Sequence, residues 1–249
     1  RDYTHHRSLC QLSEFASKIP KPVQPGENIL MTNGDEKTIF GKELDRSKIR
    51  TVYFLNSKRN IGEDAWDVSE DQNGRVLAWT KEEEGGLLGL YIAANGNIIA
   101  NRDSSGLFWS YGNLENIFGL EFLQTCQTED MCFMFEGCEK LEKLDLSRFD
   151  TSQVKTMIDI FKNCSSLTEL DISNFDIRQI KEDYFSFEEY TGLSKLPNVK
   201  VKQSAKLWPS TIRELAKLGE SYYQLEEAKM DIRAFKGYGI PLSEREAQW

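Results

Sequence analysis

The clearest pattern in the chain is a set of apolar and polar positions that recurs along the sequence at a fixed offset of 26. Residues 144–150, Leu-Asp-Leu-Ser-Arg-Phe-Asp, match residues 170–176, Leu-Asp-Ile-Ser-Asn-Phe-Asp. The same offset aligns four identical pairs: Met131 with Met157, Phe135 with Phe161, Cys138 with Cys164 and Leu141 with Leu167. Weaker matches flank these copies, including Leu170 with Leu196. We therefore predict two full repeat units with a degraded unit on each side.

The spacing of apolar residues changes within each unit. Leu144 and Leu146 alternate with polar residues, which is the period of a half-buried strand. Val154, Met157 and Phe161 then recur at the spacing of one helical face. Each unit is therefore predicted to contain a strand, a turn and a short helix. Because one unit cannot bury its apolar side alone, neighbouring units are expected to stack around a shared core.

A different pattern precedes the repeat. Residues 29–117 contain short β-branched and aromatic runs, of which residues 49–55 form the most regular one. Asn95-Gly96 separates the apolar runs 88–93 and 97–100, and this arrangement predicts a β-hairpin. This part of the chain is predicted to form a β-rich N-terminal cap.

Both ends of the chain show helical patterns. Apolar residues at helical spacing before Pro20 predict an entry helix, and the prolines that follow predict an extended linker. The C-terminal segment is predicted to be helical, because its apolar residues from Ile212 onward also follow a helical period. The predicted organisation is an entry helix and linker (1–28), a β-rich N-terminal cap (29–117), repeat coils (118–202) and a helical C-terminal segment (203–249).

The repeat period predicts the fold class. The period of 26 lies within the range of 20–29 that is typical of leucine-rich repeats. The fold class is therefore predicted to be an α/β repeat. Its architecture would be a short leucine-rich-repeat solenoid with a β-rich N-terminal cap and an α-helical C-terminal cap.

The repeat motif resembles that of a known family. Residues 131–152 have the pattern Met-x-x-Met-Phe-x-x-Cys-x-x-Leu-x-x-Leu-Asp-Leu-Ser-x-Phe-Asp-Thr-Ser. This pattern closely resembles the repeat of the BspA-like leucine-rich-repeat family of bacterial surface proteins, also called DUF285, and the resemblance extends over about residues 50–200. It implies a bacterial source and a cell-surface or secreted location. The chain departs from the family in having few coils, and Cys126 and Cys132 where the family usually has Ser.

Composition and charge narrow the classes of partner. The chain of 249 residues is 39% hydrophobic and 29% charged, which is typical of a globular protein. Its net charge of −9 disfavours binding to nucleic acid or to an anionic membrane surface. No apolar run is long enough to cross a membrane, so direct membrane insertion is not expected. The chain starts at Arg1 without Met or an apolar signal region, and we expect it to be a piece of a longer protein that could also be intracellular.

The residue inventory argues against most catalytic mechanisms. The only two histidines, His5 and His6, lie near one end of the chain, and no phosphate-binding glycine motif is present. We therefore predict a protein that is not an enzyme and has no cofactor, although catalysis by carboxylates alone remains an alternative. The spacing of Cys126, Cys132 and Cys138 is unlike that of zinc ligands, so no metal site is predicted.

Two recurring residue types allow more than one interpretation. Cys138 and Cys164 occupy the same repeat position, and they are predicted to be inert core residues, with a disulfide between adjacent units as the alternative. Asp150 and Asp176 follow the strand of each unit. They are predicted to hydrogen-bond the local backbone, with a Ca²⁺ ladder as the alternative.

The predicted function is non-catalytic protein binding through the exposed strand face of the repeat. The alternative is a regulatory or scaffold domain of an intracellular multidomain effector, docked through the two ends of the chain. The sequence indicates neither the identity of the protein partner nor an oligomeric state. The candidate binding residues are Lys143, Asp145, Ser147, Glu169, Asp171 and Ser173 on the strand face. Trp109 and Tyr111 are interpreted first as core residues, and the alternative is that they are exposed aromatic anchors for the partner.

Overall fold

The computed structural model describes residues 27–35 and 37–180, together with the backbone of two later strands. Within these residues every regular element is a β-strand or a short 3-10 helix. The strands are β1 (Thr38–Ile39), β2 (Lys42–Glu43), β3 (Ile49–Leu55), β4 (Trp66–Asp67), β5 (Val76–Glu82), β6 (Leu88–Ala94), β7 (Ile98–Ile99), β8 (Asn116–Phe118), β9 (Leu123–Gln124), β10 (Lys143–Asp145), β11 (Glu169–Asp171), β12 (Asn198–Val201) and β13 (Tyr223–Leu225). The 3-10 helices are Arg46–Lys48, Glu84–Gly86 and Leu120–Phe122.

The strands divide among several small sheets. The largest has the order β4-β5-β6-β3-β8, in which β3 runs parallel to both β6 and β8. A four-stranded parallel sheet has the order β10-β11-β12-β13, and two pairs, β1-β2 and β7-β9, complete the set. In β3, Val52 and Phe54 are buried while Tyr53 between them lies on the other face, which is the period-two pattern expected of a sheet with one buried side.

The hairpin predicted around Asn95-Gly96 is wrong. The chain bends at this point, with Gly96 at φ 95°, but the strand that follows does not return along β6. Instead β7 pairs in parallel with β9, and β6 lies between β5 and β3. An Asn-Gly turn specifies a local reversal, whereas the pairing here is set by contacts with distant strands.

The repeat itself is present in the structure. Leu144 pairs with Leu170 in register between β10 and β11, at the same offset as in the sequence. The next strand departs from that offset, because Leu170 pairs with Val199 and not with the predicted Leu196. The degraded unit is therefore longer than the sequence match indicated.

The short helix predicted in each unit is wrong. The segment after each strand forms consecutive tight turns in which an N–H bonds the carbonyl three residues earlier, as Ile160 does to Met157 and Cys164 to Phe161. Asp159 and Asn163 interrupt any helix, since both have left-handed backbone conformations with φ of 54° and 59°. Successive three-residue turns bring apolar residues to one side at spacings of three and four, which imitates a helical period.

The predicted fold class is therefore wrong as well. The described residues contain no α-helix and form several small sheets, so the structure is β-rich and does not show an α/β leucine-rich-repeat solenoid. Within the predicted helical C-terminal segment, the described residues Tyr223–Leu225 form a strand that pairs in parallel with β12. The rest of that segment and the predicted entry helix lie outside the described residues.

The repeat units share one continuous core with the N-terminal sheet. Its centre is a column of phenylalanine rings, one from each successive unit. Phe108 stacks on Phe135 at 5.1 Å between ring centroids, and Phe135 stacks on Phe161 at 5.9 Å. Phe108 also meets Phe54 of β3 edge-to-face at 6.2 Å, which joins the column to the largest sheet. The repeat and the sheet that precedes it are therefore packed as one body of apolar residues.

Gly119 allows the chain to leave β8 and approach β3 closely. It has a left-handed φ of 77°, and a Cβ atom there would lie 2.1 Å from the carbonyl oxygen of Phe54. We expect Gly119→Ala to lower the free energy of unfolding by at least about 2 kcal/mol, because the backbone must shift and the left-handed conformation is strained. Gly41→Ala is the matched control, since Gly41 has φ 76° with nothing within 4 Å, and should cost only about 1 kcal/mol. Denaturant unfolding of both variants tests this expectation, and equal losses would contradict it.

Candidate protein-interaction surface

The exposed side of β10 and β11 carries charged residues in register. Lys143 and Glu169 lie directly opposite each other, and the Lys143 Nζ atom is 2.6 Å from Glu169 Oε1. Both side chains remain exposed, at 66% and 53% of their surface. Asp145 and Asp171 form the next opposed pair along the two strands. We call these four residues the strand face.

The aspartates of the strand face also shape the turns that follow. The Oδ1 atom of Asp145 accepts a hydrogen bond from the N–H of Ser147, and Asp171 Oδ1 accepts one from Ser173 N–H, both at 2.9 Å. Ser173 is fully buried, and its hydroxyl also donates to Asp171. Ser147 is half-buried and Asp145 is exposed. The structure therefore brings these predicted residues together, but the side chain of Ser173 is not accessible to a partner.

The two strands beyond β11 continue its parallel backbone register. In register, Asn198 follows Glu169 and Lys200 follows Asp171, and Gln224 of β13 then pairs with Lys200. These positions were not predicted, because their offset differs from that of the repeat. A search for polar residues on any strand after residue 180, without a fixed offset, could have found them.

The two predicted aromatic anchors lie in different environments. Tyr111 is fully buried, and burial raises the pKa of its phenol to about 12. Its hydroxyl accepts a hydrogen bond from Asn33 Nδ2 at 3.2 Å. The core interpretation of Tyr111 is therefore confirmed, and its alternative role as an exposed anchor is wrong. Trp109 is half-buried, and its backbone carbonyl accepts a hydrogen bond from Arg46.

Arg46 was not predicted as a functional or structural residue, and it holds the segment before β3 against the start of the repeat. Only 4% of the residue is exposed. Its guanidinium also lies over the Tyr111 ring, 5.5 Å from the centroid. It donates hydrogen bonds to five backbone carbonyls, those of Thr38 (3.1 Å), Gly106 (3.3 Å), Trp109 (2.8 Å), Asp35 (2.8 Å) and Asn33. No periodicity in the sequence marks a lone arginine as buried, so only the structure identifies it.

A row of aromatic rings crosses the outer side of the largest sheet. Tyr91 stacks on Trp79 at 5.4 Å and on Tyr53 at 4.4 Å, and Tyr53 stacks on Phe118 at 5.4 Å. These residues are in register on β5, β6, β3 and β8. Lys81 lies over the Tyr91 ring at 4.9 Å. The row ends at Phe118, which is 51% exposed at the edge of the sheet.

Cys132, Cys138 and Cys164 are free thiols. Cys138 donates a hydrogen bond to the carbonyl of Phe108 at 3.3 Å, and Cys164 donates to Phe135 at 3.1 Å. Burial raises the pKa of the Cys138 thiol well above its usual range and that of Cys164 to about 12. The structure thus contains no disulfide between these two residues. Each thiol binds the backbone of the preceding unit, as expected of a buried core cysteine.

The aspartates after each strand bond the local backbone, as predicted. Asp150 Oδ1 accepts from the N–H of Ser152 at 3.0 Å, and Asp176 Oδ1 accepts from that of Arg178 at 3.2 Å.

Across the described part of the chain, no three His, Cys, Asp or Glu residues lie close enough together to hold a metal ion. In the same residues, no helix has the length and apolar character needed to span a membrane.

Comparison with known proteins gives one match. Residues 103–208 match the family model described as Mycoplasma protein of unknown function, DUF285. The matched region begins just before the phenylalanine column and covers β8–β12. No curated protein and no solved structure matches the chain.

Proposed function

We propose that the chain is a non-catalytic protein-recognition module that binds its partner through the strand face. The observation that carries this proposal is the register of β10 and β11, which places exposed Lys143 beside exposed Glu169, and exposed Asp145 beside half-buried Asp171. The leucines between these residues are buried, so the charged side chains are held on a rigid, packed scaffold. Such placement favours recognition, because little backbone freedom remains to be lost on binding.

The hydrogen bonds of this surface favour a polar partner. The Lys143–Glu169 ion pair is exposed, and exposed pairs contribute only about 0–1 kcal/mol to folding. A partner can therefore compete for either charge without destabilising the module. The exposed carboxylate of Asp145 is fixed by the N–H of Ser147, which orients it for a donor on a partner protein.

Neutralisation of the strand face tests this function. The triple variant Asp145→Asn, Glu169→Gln and Asp171→Asn removes three charges, while the two asparagine oxygens can still accept the turn hydrogen bonds. We expect recovery of the partner, captured with the chain as bait and identified by mass spectrometry, to fall at least about tenfold.

The control for that experiment changes the net charge equally at exposed residues of the N-terminal region. It combines Glu63→Gln, Asp71→Asn and Glu82→Gln. Partner recovery should stay unchanged in this control. A partner retained by the strand-face variant would count against the proposal and would favour the regulatory or scaffold role.

The similarity to BspA-like proteins supports a more specific setting. The DUF285 match includes residues 131–152, whose motif resembles the BspA-like repeat of bacterial surface proteins. We propose on this basis a cell-surface or secreted location in a bacterium, as part of a larger protein. Labelling of intact cells with a membrane-impermeant biotin reagent tests this location, and labelling only after lysis would contradict it.

A further inference from the structure

Three tight turns of successive repeat units lie side by side. In each, an N–H bonds the carbonyl three residues earlier: Trp109 to Gly106 (3.0 Å), Glu136 to Phe133 (3.0 Å) and Lys162 to Asp159 (3.1 Å). Backbone hydrogen bonds such as that from Phe133 N–H to Ile158 O, at 2.9 Å, join neighbouring turns. Equivalent residues of the three turns are therefore neighbours in space. We call the surface formed by Trp109, Phe133, Glu136, Asp159 and Lys162 the turn face.

Phe133 has a residue type that suits neither its backbone conformation nor its exposed position on the turn face. Its φ is 58°, a left-handed value that bulky residues avoid, and its side chain is 39% exposed. The equivalent positions are Gly106 and Asp159, residue types that adopt this conformation more readily. Phe133 thus carries a cost in backbone strain and another in exposed apolar surface. Strain of this kind is concentrated at binding sites.

A second aromatic residue lies in the adjacent turn. Trp109 is half-buried, and its side chain packs beside Gly106, whose built Cβ would lie 3.4 Å from Trp109 Cβ and 3.8 Å from Cε3. Because Gly106 and Phe133 are equivalent positions of neighbouring units, Trp109 and Phe133 lie in adjacent turns, which backbone hydrogen bonds such as that from Phe108 N–H to Met134 O join. Accessible aromatic residues on a rigid scaffold contribute most of the affinity in many protein interfaces.

The charges around these rings favour a cation. Lys162 Nζ lies 2.8 Å from Asp159 Oδ2 and 4.0 Å from Glu136 Oε1, so one ammonium group pairs with two carboxylates. Burial raises the pKa of Glu136, the Lys162 ammonium opposes this rise, and the neighbouring Asp159 carboxylate adds to it. A guanidinium or ammonium group can pair with a carboxylate and contact an aromatic ring at the same time.

We propose that the turn face binds a protein segment that places an arginine or lysine side chain against Phe133 and Trp109 and pairs it with Glu136. These residues are distinct from the strand face, so the proposal adds a second interaction surface to the function proposed above. The net charge of −9 for the whole chain also favours a basic partner. A second copy of this acidic chain would be a poorer match for the same surface.

The first test separates binding from folding with the variant Phe133→Asn. Asparagine tolerates a left-handed backbone and is polar, so thermal unfolding of Phe133→Asn should occur at the same or a higher temperature than in the unmodified chain. A clear fall in the unfolding temperature would overturn the proposal, because it would show that Phe133 is needed for the fold.

The second test uses a random peptide library displayed on phage, selected against the full chain. Enriched peptides should contain Arg or Lys beside apolar residues, and their binding should weaken as salt is raised. The affinity of a synthetic copy of such a peptide should fall at least about tenfold for Phe133→Asn and for Glu136→Gln. Phe118→Asn is the matched control, because Phe118 is exposed in the aromatic row and its loss should leave the affinity unchanged.

Three other outcomes would overturn the proposal. Enriched peptides without basic residues would exclude recognition of a cation. Equal affinity for the unmodified chain and Phe133→Asn would place the peptide elsewhere. Self-association of the unmodified chain in light scattering, abolished by Phe133→Asn, would show that the turn face binds a second copy.

Discussion

Replacing Arg46 by methionine is expected to lower the free energy of unfolding by about 4 kcal/mol. Methionine has a similar length but no donor, so the hydrogen bonds to five backbone carbonyls are lost. These carbonyls lie in the segment before β3 and at the start of the repeat, and those left buried without a donor account for much of the expected loss. Denaturant unfolding followed by tryptophan fluorescence measures the change.

Two further substitutions make this expectation specific. Arg46→Lys should be intermediate, because a lysine ammonium group supplies three donors from one point and cannot span carbonyls on both segments. Arg102→Met is the matched control, since Arg102 is largely exposed and pairs only with Glu129, at 3.3 Å, in the described contacts. It should change the free energy of unfolding by less than about 0.5 kcal/mol. If Arg46→Met were no more damaging than this control, the guanidinium would not hold the two segments together.

The repeat and its buried positions could be predicted from the sequence, because they depend on the repeat offset and on the alternation of apolar and polar residues along each strand. The repeat offset places Leu144 opposite Leu170, and the alternation around each leucine assigns the buried and exposed sides of the strand. The charged residues Lys143 and Glu169 could be placed on one exposed face for the same reason. Whether a partner uses that face depends on chemistry outside this chain.

The helix prediction failed because two backbone geometries produce similar apolar spacings. The left-handed conformations of Asp159 and Asn163 distinguish consecutive turns from a helix, and Asp and Asn at these places gave only a weak signal of them. The parallel pairing of β8 with β3, and the close approach of Gly119 to Phe54 just after it, were not predicted either. Such contacts join residues far apart in sequence, and a periodicity argument contains no information about them.

The centre of the phenylalanine column is the second position where a single substitution should have a large effect. Phe135 is fully buried and stacks on both Phe108 and Phe161, so its ring contacts the units on each side. We expect Phe135→Ala to lower the free energy of unfolding by about 4 kcal/mol, from lost apolar burial and the cavity left between two rings. The same denaturant titration measures it.

The neighbouring residue Phe133 provides the control for this core substitution. Phe133→Ala removes the same side chain two residues away, but from an exposed position with a strained backbone. We expect it to change the free energy of unfolding by less than about 0.5 kcal/mol. If both alanine variants lowered the free energy of unfolding equally, Phe135 would not contribute more to stability than the exposed Phe133. If instead only Phe135→Ala were damaging, the column would be established as the element that joins successive repeat units, and Phe133 would remain available for binding.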